Sequence, residues 1–435
     1  MKIAFFLASL PEDRLAERQF PLGAGYIASY LRQQLSGVEV AIAATTAEIL
    51  DVEPDIVGIS STSQCFAYAA SAARLFRERL GVPIVLGGYH ITPLPHSLPV
   101  WADVGVIGEG EESMVELADL YQRHRYRSLP PEKLGRVAGI CFRNRRDDVV
   151  VNPRRPEMEN IDCLPFPQRN ISRGARNIAM FSSRGCVYKC KYCASARFWR
   201  RFRVHSASYF VAELKQLIRH YDATSVYLLD DLFFAKKGRV SEIVHIMERE
   251  GLLGRLSFHG FISSNLAQPD LLDAAVRMGF KSIRFGAETG SDQLLKAMKG
   301  PHAAVDNHQR CVDLCYERGL EVRAAFMLGT PGETVVDLDR TYEFLAKNRD
   351  RLLIDGFYLT TPVPGTPYWD LALARGLVSE EMDWQRLNLD LLKQESFDPS
   401  RALYLNADHV SLETTLTYGR RFVDEFQFHQ LREAR

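Results

Sequence analysis

Residues 183–193 read Ser-Arg-Gly-Cys-Val-Tyr-Lys-Cys-Lys-Tyr-Cys, which sets Cys186, Cys190 and Cys193 at C-x-x-x-C-x-x-C spacing. The apolar run 178–183 just ahead has the length and content of a buried β-strand. Three thiols this close cannot all stay buried and unpaired at a tolerable energetic cost. They are expected to hold a metal centre. A structural zinc site needs a fourth nearby Cys or His. The nearest candidate is His205, twelve residues beyond Cys193 and without usual ligand spacing. Three thiolates on a cubane iron–sulfur cluster leave one iron without a protein ligand. An open iron can bind a small molecule and pass it an electron.

The rest of the chain is ordinary globular sequence, long enough at 435 residues for two or three domains. Lys plus Arg total 54 and so do Asp plus Glu. A balanced charge lacks the basic footprint of a general nucleic-acid binder and of a membrane-surface protein. No apolar run approaches the 18 or so residues of a spanning helix. Residues 1–10 have the apolar look of a short signal peptide, but no small-residue cleavage site follows. They read as a buried first strand. Eight cysteines in a chain this long are not a disulfide framework, and free thiols point to a reducing cytoplasm.

Residues 1–120 alternate short apolar runs (2–8, 38–43, 55–60, 83–88, 104–108) with amphipathic stretches such as 23–35 and 66–80. That pattern predicts an α/β domain with a doubly wound, Rossmann-like parallel sheet. Such sheets bind ligands at the carboxyl ends of their strands, near a topological switch point. Those ends carry Ser60-Ser61-Thr62-Ser63, Gly87-Gly88-Tyr89-His90 and Gly108-Glu109-Gly110-Glu111-Glu112. Each alone is plain turn chemistry; three in register suggest a cofactor site. Residues 121–176 read as a connector, with a hairpin over 137–152 and a Pro-rich linker over 154–169. A second alternating series fills 177–370, with strands at 178–183, 225–230, 256–263, 282–289, 321–329 and 356–362. Six βα units predict a partial (β/α)6 barrel of the TIM type, with its chemistry at the carboxyl ends of the strands. Residues 371–435 read as a helical region, with Trp384, Tyr418, Phe422 and Phe426 as core contacts.

On the cysteine motif, on Tyr192 before its last Cys, and on the strand-end turns, residues 1–370 resemble the radical S-adenosylmethionine (SAM) superfamily. The likeness is to its members with an N-terminal cobalamin-binding domain. The resemblance implies a [4Fe–4S] cluster on Cys186, Cys190 and Cys193, with SAM chelating the open iron. Electron transfer then cleaves SAM to methionine and a 5′-deoxyadenosyl radical, which abstracts hydrogen from an unactivated carbon. It implies C-methylation as the commonest outcome, with cyclisation, ring contraction or rearrangement as alternatives. A small-molecule or peptide substrate and an electron donor such as flavodoxin or ferredoxin are implied as partners. A non-catalytic iron–sulfur sensor is the alternative of another class.

Further positions are carried over from that resemblance. Asp230 and Asp231 match the turn near the methionine moiety of SAM, and a carboxylate there would accept from its ammonium; a helix cap is the plainer reading. Ser263 ends the third barrel strand, where many relatives carry an Arg and this chain has Ser264 or Asn265. Glu288, in Gly286-Ala287-Glu288, would accept from ribose hydroxyls or brace the amino-group site; a buried ion pair is the alternative. Arg323 would pair with the methionine carboxylate, or form a structural salt bridge. The turns at 327–334 and 364–367 also match and read as structural. Ser60, Ser61, Thr62, Gly87, Gly88, Tyr89, Gly108, Glu109 and Gly110 would line the cobalamin site. Residues 10–20 contain no His, so the Asp-x-His-x-x-Gly motif that ligates cobalt from below is missing and the first His is His90. The basic, aromatic stretch 199–203 reads as a loop over the barrel mouth. Cys311 and Cys315, one helical turn apart, read as small hydrophobes.

Overall fold

A computed structural model describes residues 1–9, 21–125, 129–171, 177–387 and 398–427. The chain divides into two compact units. One comprises Met1–Ile171 with Arg197–Arg200 and Ser379–Gln385, the other Ser172–Ala196, Arg201–Val378 and Arg386–Arg435.

The first unit is built on a seven-stranded sheet of β1 (Lys2–Ala8), β2 (Glu39–Ala43), β3 (Ile56–Ser61), β4 (Ile84–Gly87), β5 (Val104–Val106), β6 (Ile140–Arg143) and β7 (Val149–Val151), in the order β2-β1-β3-β4-β5-β6-β7. The first five strands are parallel. Ile3, Ala4, Phe5 and Phe6 of β1 are all buried, as a strand covered on both faces requires. The first ten residues therefore begin with an internal strand of the sheet. Strand order reverses across β1 and β3, the switch point at which such sheets take ligands. The helix Phe66–Leu80 buries Phe66, Ala69, Ala72, Ala73 and Phe76 at helical spacing and stops where Gly81 turns left-handed (φ 67°). The hairpin read as part of a connector adds β6 and β7 antiparallel to the edge of this sheet. Its inward residues Ile140 and Phe142 are buried in the same core, which makes the hairpin part of this unit.

The second unit holds six parallel strands: β8 (Asn177–Met180), β11 (Ser225–Leu228), β12 (Ser257–Phe261), β13 (Phe280–Glu288), β14 (Glu321–Leu328) and β15 (Leu353–Leu359). They are neighbours in sequence order, with helices between, which is the partial-barrel pattern. One face packs Phe258, Ile283, Phe285, Phe326 and Phe357 into the core. The alternate positions His259, Arg284, Arg323, Asp355 and Tyr358 are half-buried. Two short antiparallel strands, β9 (Ser183–Arg184) and β10 (Arg203–Val204), bracket the cysteine segment. The described part of the C-terminal region is less helical than its sequence suggests. Between the helices Pro367–Ala374 and Leu412–Phe422, the described residues form only short 3₁₀ turns, at Trp384–Leu387 and Pro399–Arg401.

Candidate functional site

In the second unit the cysteine segment follows β9, just past the carboxyl end of the first barrel strand. Cys186, Cys190 and Cys193 are half-buried free thiols. Burial pushes the Cys186 thiol up to about 11, and it raises Cys190 and Cys193 as well. The Asp231 carboxylate adds to the rise at Cys186 and Cys193, while the Lys299 ammonium beside Cys190 opposes it. The chain thus gathers three soft donors but does not itself hold them as thiolates. A metal centre supplies the positive charge that would. Among the described residues no three His, Cys, Asp or Glu side chains are placed to hold a single ion. A cubane carried by three spaced thiolates fits this donor set.

The segment is pinned from several elements. Tyr188 stacks on His302 with ring centroids 3.9 Å apart, and its hydroxyl oxygen accepts from Asn265 Nδ2 at 2.8 Å. Ser263 Oγ donates to Asn265 Oδ1 at 2.6 Å, so this serine orients the amide that holds Tyr188. The Lys191 N–H bonds to Met298 O at 2.9 Å. Tyr192 donates to Glu288 Oε1 at 2.7 Å, and Lys299 Nζ approaches the same oxygen at 3.2 Å while donating to Gly286 O at 2.6 Å. Burial, followed by the Glu288 charge, raises the Tyr192 phenol well above its ordinary range, so it stays a donor. Glu288 sits at φ 63°, beside a register irregularity between β13 and β14. A Cβ on Gly286 would overlap Glu288 Oε1, so only glycine lets that carboxylate fold back onto its own strand. Glu288 is therefore the centre of a buried ion pair, the alternative reading of its motif.

The paired aspartates part company. Asp230 is 1% exposed, and its carboxylate accepts from Ser182 N (3.0 Å), Ser182 Oγ (2.7 Å) and Ser183 Oγ. Burial raises the Asp230 pKa, opposed by the Ser183 hydrogen bond and then by the Arg239 guanidinium, which donates to His205 O and Ser182 O. Asp230 is thus occupied in bracing the strand that leads into the cysteines, and the expectation that it receives an ammonium is corrected. Asp231 is exposed and takes one hydrogen bond, from Ser195 Oγ two residues past Cys193. Arg323 forms the structural salt bridge, the other reading of its position. It is the third residue of β14, toward the amino end of the strand, and is committed to Asp355 (Nε–Oδ1, 2.6 Å) and Glu321 (2.9 Å). Lys299, His302, Ser195 and Ser182 escaped sequence reasoning, since none lies in a motif, and the partners of Asn265 and Ser183 were not legible there.

In the first unit the three strand-end turns follow adjacent strands β3, β4 and β5, with Ser60 opposite Gly87. Gly88 has φ 104°, and a Cβ there would meet Ser61 O at 2.5 Å, so the two turns are in backbone contact. Ser61 Oγ donates to Thr62 O (2.7 Å), and Thr62 is exposed. Tyr89 packs on Phe198, with centroids 4.6 Å apart. The Gly108 N–H bonds to Thr92 Oγ1, Glu109 Oε2 accepts from Met158 N at 3.1 Å, and a Cβ on Gly110 would strike Ile27. Glu109 thus turns to the loop holding Arg154 and Met158, whereas Ser60, Ser61, Gly87 and Gly88 form one rim. At that rim His90 Nδ1 and Ser63 Oγ are buried without a hydrogen-bond partner, which fits a polar-edged ligand. Residues 10–20, where a lower cobalt ligand would be sought, lie outside the described residues.

A parallel switch-point sheet and a partial barrel with three cysteines at its first strand end are the arrangement of an enzyme with a cofactor at each set of strand ends. The family comparisons agree. The radical SAM superfamily model matches residues 180–345 and the B12 binding domain model matches residues 14–118. The barrel unit thus matches the radical SAM superfamily, and the sheet ahead of it in sequence matches a B12-binding domain, in line with the resemblance on the cysteine motif. It is 28% identical over 417 residues to an uncharacterized methyltransferase of Pyrococcus horikoshii, covering 89% of this chain and 86% of that one. It is 24% identical over 372 residues to the anaerobic magnesium-protoporphyrin IX monomethyl ester cyclase of Rubrivivax gelatinosus, covering 82% of this chain and 65% of that one. Among solved structures it is similar to the radical SAM methyltransferase TsrM of Kitasatospora setae with cobalamin and [4Fe-4S] cluster bound. That likeness has a TM-score of 0.70 at 18% identity, covers 87% of this chain and 75% of that one, and bears on the fold. No helix among the described residues is long and apolar enough to cross a membrane.

Proposed function

We propose that this enzyme methylates an unactivated carbon of a small-molecule or peptide substrate, using a [4Fe–4S] cluster, SAM and cobalamin. The observation that carries the reading is the trio of half-buried free thiols Cys186, Cys190 and Cys193, just past the first strand end of a partial barrel. When bound, the cluster and SAM supply a 5′-deoxyadenosyl radical and cobalamin supplies the methyl group. The chain's own contribution is position and charge. Tyr188 and Tyr192 fix the cysteine segment against Asn265, His302 and Glu288, so the three sulfurs are held before a cofactor arrives. Asp231, exposed beside Cys186 and Cys193, accepts from the SAM ammonium. Lys299 offsets negative charge at Cys190 and Glu288. Ser60, Ser61, Thr62, Gly87, Gly88 and Tyr89 present a close-packed, polar rim to the corrin. An external one-electron donor of the flavodoxin or ferredoxin type supplies reductant in the cytoplasm.

A second reading, ring closure without methyl transfer, has the cyclase resemblance behind it. Product mass separates the two, since methylation adds a methyl group and cyclisation does not. The common core is tested by anaerobic reconstitution with iron and sulfide, followed by SAM and dithionite. Formation of 5′-deoxyadenosine is expected; a fully reconstituted protein that leaves SAM intact would overturn the proposal.

A further inference from the structure

His90 ends the Gly-Gly-Tyr-His turn after β4, and its ring is fully buried. One face stacks on Phe66, with centroids 3.6 Å apart and planes 21° from parallel. Trp384 meets it edge-on at 4.5 Å and 82°. The tautomer follows from its neighbour. Ser97 Oγ donates its single proton to Leu94 O at 2.6 Å, so toward His90 Nε2, 3.0 Å away, it can only accept. Nε2 therefore carries the proton and Nδ1 is a bare lone pair. Among the described residues nothing donates to it. Burial drives the ring's pKa down to about 3, so the imidazole does not relieve the lone pair by protonation. Ser63 Oγ, in the turn where Ser63 O caps the Phe66 N–H, is likewise buried and without a partner.

Buried acceptors are nearly always satisfied, and two left bare at one strand-end rim mark a place that awaits a donor. The occupant must bring a neutral N–H or O–H. It cannot be an anion, which a lone pair repels. It must also tolerate an aromatic wall of Phe66 and Trp384. A corrin macrocycle answers that description, being apolar in its ring and edged with primary amides. Resting on the cobalamin reading above, we propose that His90 Nδ1 accepts a hydrogen bond from a corrin-rim amide N–H, with Ser63 Oγ as a second polar contact. Trp384 shifts from the ring edge as the amide enters. His90 in this assignment recognises the macrocycle's periphery and is not a cobalt ligand.

The test compares two corrinoids on the full-length chain, by equilibrium dialysis and by the shift in their visible spectra. Hydroxocobalamin carries amide N–H donors, and cobyrinic acid heptamethyl ester carries none. His90→Phe is expected to weaken cobalamin binding about tenfold, the size of one hydrogen bond to a buried acceptor, and to leave the ester unchanged. His90→Asn, whose amide oxygen takes the place of Nδ1, recovers part of the loss. Without ligand, His90→Phe melts no lower than the parent, because it deletes an unpaired polar atom while Ser97 keeps its bond to Leu94. Equal binding by parent and His90→Phe, or equal weakening of both corrinoids, would overturn the assignment. A parent chain that binds neither corrinoid would instead defeat the cobalamin reading on which it rests.

Discussion

Gly286→Ala is the most discriminating single change in the barrel. Gly286 lies in a strand and is not among the positive-φ glycines, so alanine meets no left-handed strain there. Its cost is steric. The added methyl overlaps Glu288 Oε1 and lies 3.0 Å from Glu288 Cδ and 3.4 Å from Lys299 Nζ. The Glu288 side chain cannot yield without releasing both Tyr192 and Lys299. A hydrogen bond to a charged group is worth about 1.5–3 kcal/mol. Breaking a buried ion pair from one side costs about 3–5 kcal/mol, and the Lys299 and Glu288 side chains are only 13% and 8% exposed. The two losses share one carboxylate and do not add, so about 3–5 kcal/mol is expected. For a domain of this size each kcal/mol moves Tm by roughly 2–4 °C, which gives a shift on the order of 10 °C. Differential scanning calorimetry of the anaerobic protein, read unit by unit since two units need not melt together, measures the shift. Iron content after reconstitution should fall with it, because Tyr192 precedes Cys193. Gly238→Ala, in the first turn of the helix Lys237–Arg249 with open space around it, is the control and should be neutral or slightly stabilising. A Gly286→Ala protein that melts with the parent and loads iron normally would refute the claim that Glu288 anchors the cysteine segment.

Other consequences are as direct. Asp230→Asn turns an N–H toward donors already aimed at Asp230. It should lower the Tm by several degrees, whereas Asp231→Asn should leave the Tm in place and raise the Kd for SAM; calorimetry and equilibrium dialysis separate the two. Burial raises the Glu333 carboxyl to about 8, against the Gly329 N–H that accompanies it at 2.6 Å. The folded chain then keeps a proton that the unfolded chain releases near its ordinary pKa. Stability falls as pH rises from about 4.5 toward 8, by up to ~1.4 kcal/mol per unit, and levels off above. Glu333→Gln should flatten that slope in denaturant titrations at pH 5.5 and 8; an unchanged slope would assign the proton elsewhere.

Much of this architecture was legible because hydrophobic period and turn chemistry are local. The first strand was read over its full span, 2–8, and each barrel strand within a few residues, since apolar runs between helical patterns leave little choice. The cysteine spacing named three thiols that the structure sets together in one segment past the first barrel strand. What was illegible depends on partners distant in sequence. Asp230 and Asp231 are identical neighbours, and only Ser182 and Ser183 on another strand decide which is consumed. Lys299 carries no motif, yet Gly286 and Glu288 fold back to meet it. Arg323 is legible as a residue of its strand, but which of its two readings holds depends on Asp355 of the next strand, which claims it. The hairpin at 140–151 was seen as a hairpin, but its edge pairing to β5 follows from buried Ile140 and Phe142, which a connector would not need. Trp384 is the buried core aromatic its sequence suggests, but its contact with His90 spans almost three hundred residues of chain and is not legible locally.

The account stands or falls on whether three cysteines leave an iron free to take SAM. Electron paramagnetic resonance of the dithionite-reduced, reconstituted protein, recorded with and without SAM, measures this most directly. A [4Fe–4S] signal whose g-values move when SAM is added is the expected result. A signal indifferent to SAM, or a protein that retains zinc and gives no signal at all, would contradict it.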